Sequence, residues 1–383
     1  MASVAVQESP NAGRVVTTND QHHPLDPLEA QIFCKAVGMN PNATHEFEIP
    51  DINFLQEIAR LPVNFTKIPN GTDVRLMRRW IDEVFLRGPL AEYRARINIK
   101  RRRPITKVDV QDVSVLCSGT SRESFGIRVY NPRLVERESK IHSRPAVLMF
   151  HGGGWIHGNP LGDENISTIF ASELCAVVFS VDYRLAPEYP FPAPLDDCCQ
   201  ALEWVIQKAP DYGIDTDRIA LWGASAGGNL AAAVALKLSQ TRPLTEDRPL
   251  RLVSLVVPVT AHPKAQALFE EQRVVKKSQS EEAITELYTA NSSDICHPLI
   301  SPLMAHPNPQ HPATHITVAA CDYLMAQGLA YAQLLRSFGV EVTEDILPGV
   351  PHGFTFAVNA EVTKAWLERQ VDLFAAVFES RSA

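Results

Sequence analysis

The stretch Ile219-Ala220-Leu221-Trp222-Gly223-Ala224-Ser225-Ala226-Gly227 runs from four apolar residues into a serine flanked by glycines, and an alanine-rich run over 229–236 follows it. A strand, a sharp turn and a helix in that order hold a serine at the top of a sheet with its hydroxyl exposed. The glycines remove side chains that would collide in so tight a bend. Such a unit belongs to an α/β sheet whose strands are joined by crossover helices.

The same texture extends over most of the chain. Short β-rich runs fall at 108–116, 126–130, 146–150, 176–181, 218–222, 252–256, 316–320 and 340–347, with helical patterns at 193–208, 226–239, 328–337 and 360–378. These patterns predict an eight-stranded, mostly parallel sheet. Between the sixth and seventh runs, 261–298 is too long for an ordinary connection and carries helical spacing over 265–276 and 281–288. A lid or cap element is the natural reading. Residues 1–24 are polar with scattered glycine and proline and predict a flexible tail, while 25–104 is helical in pattern, most clearly over 74–86. The basic run at 100–103 reads as a solvated approach to the first strand. The expected organisation is therefore a tail, an N-terminal helical cap region and a catalytic domain over 105–383.

With 45% hydrophobic and 21% charged residues, the 383-residue chain is composed like an ordinary folded protein. A net charge of -8 offers no general attraction to nucleic acid or anionic membranes. Seven cysteines with no paired C-x-x-C spacing suggest neither a disulfide framework nor a zinc site. No segment is long and apolar enough to span a bilayer, and the first fifteen residues lack the form of a secretory signal. A cytoplasmic protein without metal or organic cofactor is expected. Its oligomeric state is left open, a homodimer included.

A second motif, His151-Gly152-Gly153-Gly154-Trp155, leaves the apolar run 146–150. Consecutive glycines let backbone N–H groups converge, as an oxyanion formed in acyl transfer requires. Gly153 and Gly154 are the expected donors, with the N–H of Ala226 as a third. A serine needs a base to take its proton and an acid to orient that base. Of the twelve histidines only His352 lies beyond Asp322, in the loop after the last strand pattern, and it is the expected base. Asp322 ends the seventh pattern, where open sheets place ligands, and Asp345 is an alternative inside the eighth. His151, which leaves a strand directly, is expected to brace its loop instead.

Together these residues resemble the hormone-sensitive lipase-like family of α/β hydrolases, carboxylesterases marked by an H-G-G-G loop ahead of a G-x-S-A-G-G elbow. The segment 182–193, Asp-Tyr-Arg-Leu-Ala-Pro-Glu-Tyr-Pro-Phe-Pro-Ala, and Ser301-Pro302-Leu303 resemble further family motifs. The likeness covers 105–380 and implies an α/β-hydrolase sheet with helices on both faces under a helical cap. It maps Ser225 to the nucleophile, Asp322 to the acid, His352 to the base, and Gly153, Gly154 and Ala226 to the oxyanion hole. Relatives usually carry Asp where this chain has Ala224, and often Asp where it has Ala326.

What the resemblance implies is hydrolysis of a small-molecule carboxylic ester with a hydrophobic group. Acyl transfer on the same residues is an alternative. A non-catalytic receptor is a third, opposed by the retention of His352.

Overall fold

The computed structural model describes residues 31, 34, 39–43, 46–61, 63, 73–95, 107–118, 123–133, 143–241, 250–266, 279–290 and 295–380. The expected tail at 1–24 and the basic run at 100–103 lie outside those residues. The strands are β1 (Val108–Leu116), β2 (Ser124–Pro132), β3 (Arg144–Phe150), β4 (Val177–Asp182), β5 (Ile214–Ala224), β6 (Leu250–Val256), β7 (Thr314–Ala319) and β8 (Val342–Leu347). They form one sheet in the order β1-β2-β4-β3-β5-β6-β7-β8. β2 is antiparallel to both β1 and β4, and from β4 to β8 every neighbouring pair is parallel.

Ten α-helices have described bounds: α1 (Ile52–Arg60), α2 (Val74–Trp80), α3 (Pro89–Arg94), α4 (Glu164–Leu174), α5 (Ala193–Tyr212), α6 (Ala226–Thr241), α7 (Pro263–Gln266), α8 (Gln279–Thr289), α9 (Met325–Ser337) and α10 (Glu361–Glu379). All seven residues of β3 are buried, so its run of apolar residues is continuous because both faces of the strand are covered. Ala146, Leu148 and Phe150 pack into one layer with side chains of α5, α6 and α9. Val147 and Met149 point the other way, into a layer with α4 and α10.

Asp51 starts α1 by accepting the N–H groups of Asn53 and Phe54 at 2.7 and 3.0 Å, and Phe54 and Ile58 then join the α4/α10 layer. Asp73 caps α2 through the N–H of Leu76 at 2.9 Å. The continuous α-helix expected over 74–86 changes at Ile81, where the backbone winds into a π-helical turn over Ile81–Leu86. α4 carries no clear period because eight of its eleven residues are buried, which hides an amphipathic stripe. The helix expected at 281–288 is α8, whereas most of the one expected at 265–276 lies outside the described residues, α7 ending at Gln266.

The parallel strands bring four loops to one edge of the sheet. β3 and β5 are neighbours with Phe150 opposite Gly223, and β7 and β8 are neighbours with Ala319 opposite Leu347. The loops after these four strands carry the glycine-rich motif, Ser225, Asp322 and His352.

Candidate active site

β5 ends at Ala224, α6 begins at Ala226, and Ser225 between them has φ 56°, a left-handed conformation rare outside glycine. Three backbone bonds hold it there. The N–H of Ser225 donates to Val256 O at 2.8 Å, and its carbonyl accepts from Asn229 at 3.0 Å and Val259 at 3.3 Å. The two flanking glycines have a steric reason: a Cβ on Gly223 would lie 2.1 Å from Gly227 O, and one on Gly227 would lie 1.9 Å from Phe150 O. The elbow and the strand leading to the glycine-rich loop are thus in direct backbone contact.

The side chains of Ser225, His352 and Asp322 form a chain of hydrogen bonds. His352 Nε2 is 2.8 Å from Ser225 Oγ, and His352 Nδ1 is 2.7 Å from Asp322 Oδ2. A carboxylate can only accept, so Nδ1–H donates to Asp322 and Nε2 is left bare toward the serine hydroxyl. The Asp322 side chain is buried, and its other oxygen accepts the N–H of Leu324 at 3.0 Å, which fixes the carboxylate. Asp345, the alternative acid, lies apart in β8, bonded to Arg369 at 3.1 Å and facing His315 at 3.9 Å.

Gly153 has φ 123° and Gly154 φ 59°, so the loop turns through conformations that favour glycine. Among the described residues the N–H groups of Gly153 and Gly154 have no hydrogen-bond acceptor, and that of Ala226 opens α6, where no intrahelical acceptor exists. His151 is buried and stacks on Tyr183 with ring centroids 4.2 Å apart, while its Nδ1 donates to Gly152 O at 2.8 Å. Burial pushes it down to about 4, with the Gly152 bond opposing weakly. A neutral ring wedged under the loop agrees with bracing. Tyr183 completes the brace by donating its hydroxyl to His151 O at 2.7 Å.

A cavity of about 310 Å³ opens on Ser225 and His352. Its apolar walls include Ile81 and Leu86 from the π-helical turn, Ile284 from α8, and Val259. Trp80 does not line it, although the adjacent Ile81 does, and Phe269 lies outside the described residues. Tyr288 of α8 stacks its ring on Trp155 of the glycine-rich loop at 4.3 Å and 3°, and its carbonyl accepts the N–H of Phe191, in the segment before α5, at 2.8 Å. Sequence spacing gave no access to these contacts, because each joins segments far apart in the chain. Among the described residues no helix is long and apolar enough to cross a membrane.

Comparison with known proteins places the chain among esterases of one fold. The chain is 31% identical to an arylesterase of Saccharolobus solfataricus over 275 residues, covering 70% of this chain and 86% of that protein. It is 31% identical to an ethyl acetate hydrolase of Pseudomonas putida, covering 65% of this chain and 77% of that one. Among solved structures, an esterase of Pyrobaculum calidifontis superposes with a TM-score of 0.66 at 28% identity, covering 80% of this chain and 94% of that chain. A family profile described as the alpha/beta hydrolase fold matches residues 147–356, more than half of the 383 residues, and the chain belongs to that family.

Proposed function

We propose that the protein hydrolyses carboxylic esters through an acyl-enzyme on Ser225. The observation that carries this reading is the Asp322–His352–Ser225 relay, at 2.7 and 2.8 Å, opening on an apolar cavity. His352 Nε2 takes the serine proton as Oγ attacks the ester carbonyl, and Asp322 stabilises the imidazolium that forms. The N–H groups of Gly153, Gly154 and Ala226 donate to the oxyanion, the developing charge being what they stabilise. The imidazolium returns its proton to the leaving alcohol. Water, deprotonated by the same nitrogen, then attacks the acyl carbonyl, and the proton passes from His352 to Ser225 Oγ as the acid is released.

The cavity suits an ester with a hydrophobic group, since Ile81, Leu86 and Ile284 offer contact area and few polar partners. In this reading α2 with its π-helical turn and α8 serve as the cap over Ser225, and the protein works in the cytoplasm without metal or cofactor. The names of the relatives, arylesterase and ethyl acetate hydrolase, support the reaction class.

The test is hydrolysis of p-nitrophenyl esters of graded chain length by the wild type and Ser225→Ala, with circular dichroism to confirm folding. The variant is expected to lose on the order of 10⁴- to 10⁶-fold in kcat. A fluorophosphonate is expected to label Ser225. A folded Ser225→Ala that hydrolyses at the wild-type rate would refute the mechanism.

A further inference from the structure

Arg78, on α2, reaches three acceptors on two other segments. Its Nε donates to Ile156 O at 2.6 Å and its NH2 to Ala186 O at 2.7 Å. NH1 and NH2 together clamp Glu188 at 2.9 and 2.8 Å. Ile156 belongs to the glycine-rich loop. Its N–H and that of His157 both donate to Gly153 O at 3.1 Å, closing the turn that aims the N–H groups of Gly153 and Gly154. Ala186 is tied to the same loop, its N–H donating to Trp155 O at 2.9 Å. Ile156 and Ala186 are fully buried, so without the guanidinium their carbonyls would lose a charged donor in a place where a replacement is costly.

We infer that Arg78 is a positioning residue: it sets the geometry of the oxyanion loop and makes that geometry depend on α2 being docked. The inference rests on the reading of Gly153 and Gly154 as oxyanion donors. Glycine has no Cβ to restrict it, so a loop of three glycines keeps a single conformation only if its neighbours impose one. Arg78 imposes it from outside the hydrolase sheet. The planar, forked guanidinium serves diverging acceptors at once, which the single ammonium of lysine does not. Ile81, three residues along the same helical stretch, lines the cavity, so one segment supplies a wall for the substrate and the restraint on the loop.

The experiment compares wild type, Arg78→Ala, Arg78→Lys and Glu188→Gln for kcat and KM on p-nitrophenyl butyrate, together with amide hydrogen exchange over 152–157. Arg78→Ala is expected to lower kcat by about 10- to 100-fold with KM within about threefold, below the full loss of one oxyanion donor. Exchange over 153–157 is expected to quicken. Arg78→Lys is expected to recover little, because the fork and not the charge is required. Glu188→Gln is expected to stay within about threefold of wild type, since the contacts to Ile156 O and Ala186 O remain. Should Arg78→Ala fail to fold, Arg78→Lys takes its place, with the same split between kcat and KM as the supporting result. Wild-type kcat and unchanged exchange in a folded Arg78 variant would overturn the inference, as would a loss confined to KM. A wild type without esterase activity would instead remove the proposed reaction, and the exchange measurement would still report whether Arg78 holds the loop.

Discussion

Asp322 Oδ2 and His352 Nδ1 lie 2.7 Å apart although they leave different strands, and the pairing of Ala319 with Leu347 in β7 and β8 brings their two loops together. An amide in place of the carboxylate would keep the shape but present the wrong tautomer of His352 to Ser225. Asp322→Asn is therefore expected to stay folded and lose about 10⁴ in kcat. Asp345→Asn is expected to lose little, since Asp345 faces Arg369 and His315. A severe loss at Asp345 with Asp322→Asn near wild type would exchange the two assignments.

Two glycines separate side-chain from backbone crowding. A Cβ on Gly154 would meet Ile284 Cγ2 at 2.6 Å, whereas one on Gly227 would meet Phe150 O at 1.9 Å. Gly154→Ala is expected to fold and lose activity, and adding Ile284→Ala should return part of it. Recovery stays incomplete because φ at Gly154 is 59°, a conformation that costs alanine roughly 1–2 kcal/mol. No second substitution relieves Gly227→Ala, which is expected to destabilise by more than about 4 kcal/mol. Denaturant midpoints and kcat/KM for the three variants check this. Equal behaviour of Gly154→Ala and Gly227→Ala would contradict it.

Chain-length preference should follow the cavity wall. Ile81→Ala and Ile284→Ala enlarge the cavity and are expected to shift the best p-nitrophenyl ester toward longer acyl chains, while Ile284→Phe shifts it toward shorter ones. Trp80→Ala is expected to leave the preference unchanged, since Trp80 does not line the cavity. A profile that ignores all three wall substitutions would separate this cavity from substrate binding.

Buried titratable groups make stability depend on pH in opposite senses. His151 and His311 are pushed down to about 4 by burial. Between about 6.5 and 4 the unfolded chain binds protons at these positions that the native chain does not, so their share of stability is lost as pH falls. Asp163, raised to about 6 by burial against a weaker pull from Arg94, does the reverse: its share is lost as pH rises from about 4 to 6. His311→Gln should thus flatten the rise of stability with pH, and Asp163→Asn should steepen it, each by up to about 1.4 kcal/mol per pH unit. Urea midpoints at pH 5 and 7 measure both. Changes of the same sign would show that one of these groups is not held as described.

The elbow was legible because its chemistry is local: a tight turn requires glycine on both sides of Ser225, and the collisions at Gly223 and Gly227 show why. Asp322 and His352 were legible because each follows a strand pattern and chain order left few candidates. Arg78 was not, since its partners lie 78 to 110 residues away, and an arginine on a helix is by default a solvated one. α4 escaped for a different reason: buried on most sides, it has no polar stripe to give it a period. The register of β3 against β5, on which the whole site depends, is set by packing and leaves no mark in either strand alone.

The stack of Trp155 on Tyr288 bears on how this scaffold could be re-engineered. α8 is tied at one end to the glycine-rich loop through that stack and to the segment before α5 through the bond from Phe191 to Tyr288 O. Ile284, one turn earlier, faces Gly154. A transplant of α8 from a relative would therefore import a new cavity wall and sever the anchor of the glycine-rich loop in the same cut. Residues 155, 191 and 288 form one inheritable block, and a chimaera that exchanges them together has the better prospect of keeping turnover while changing what is turned over.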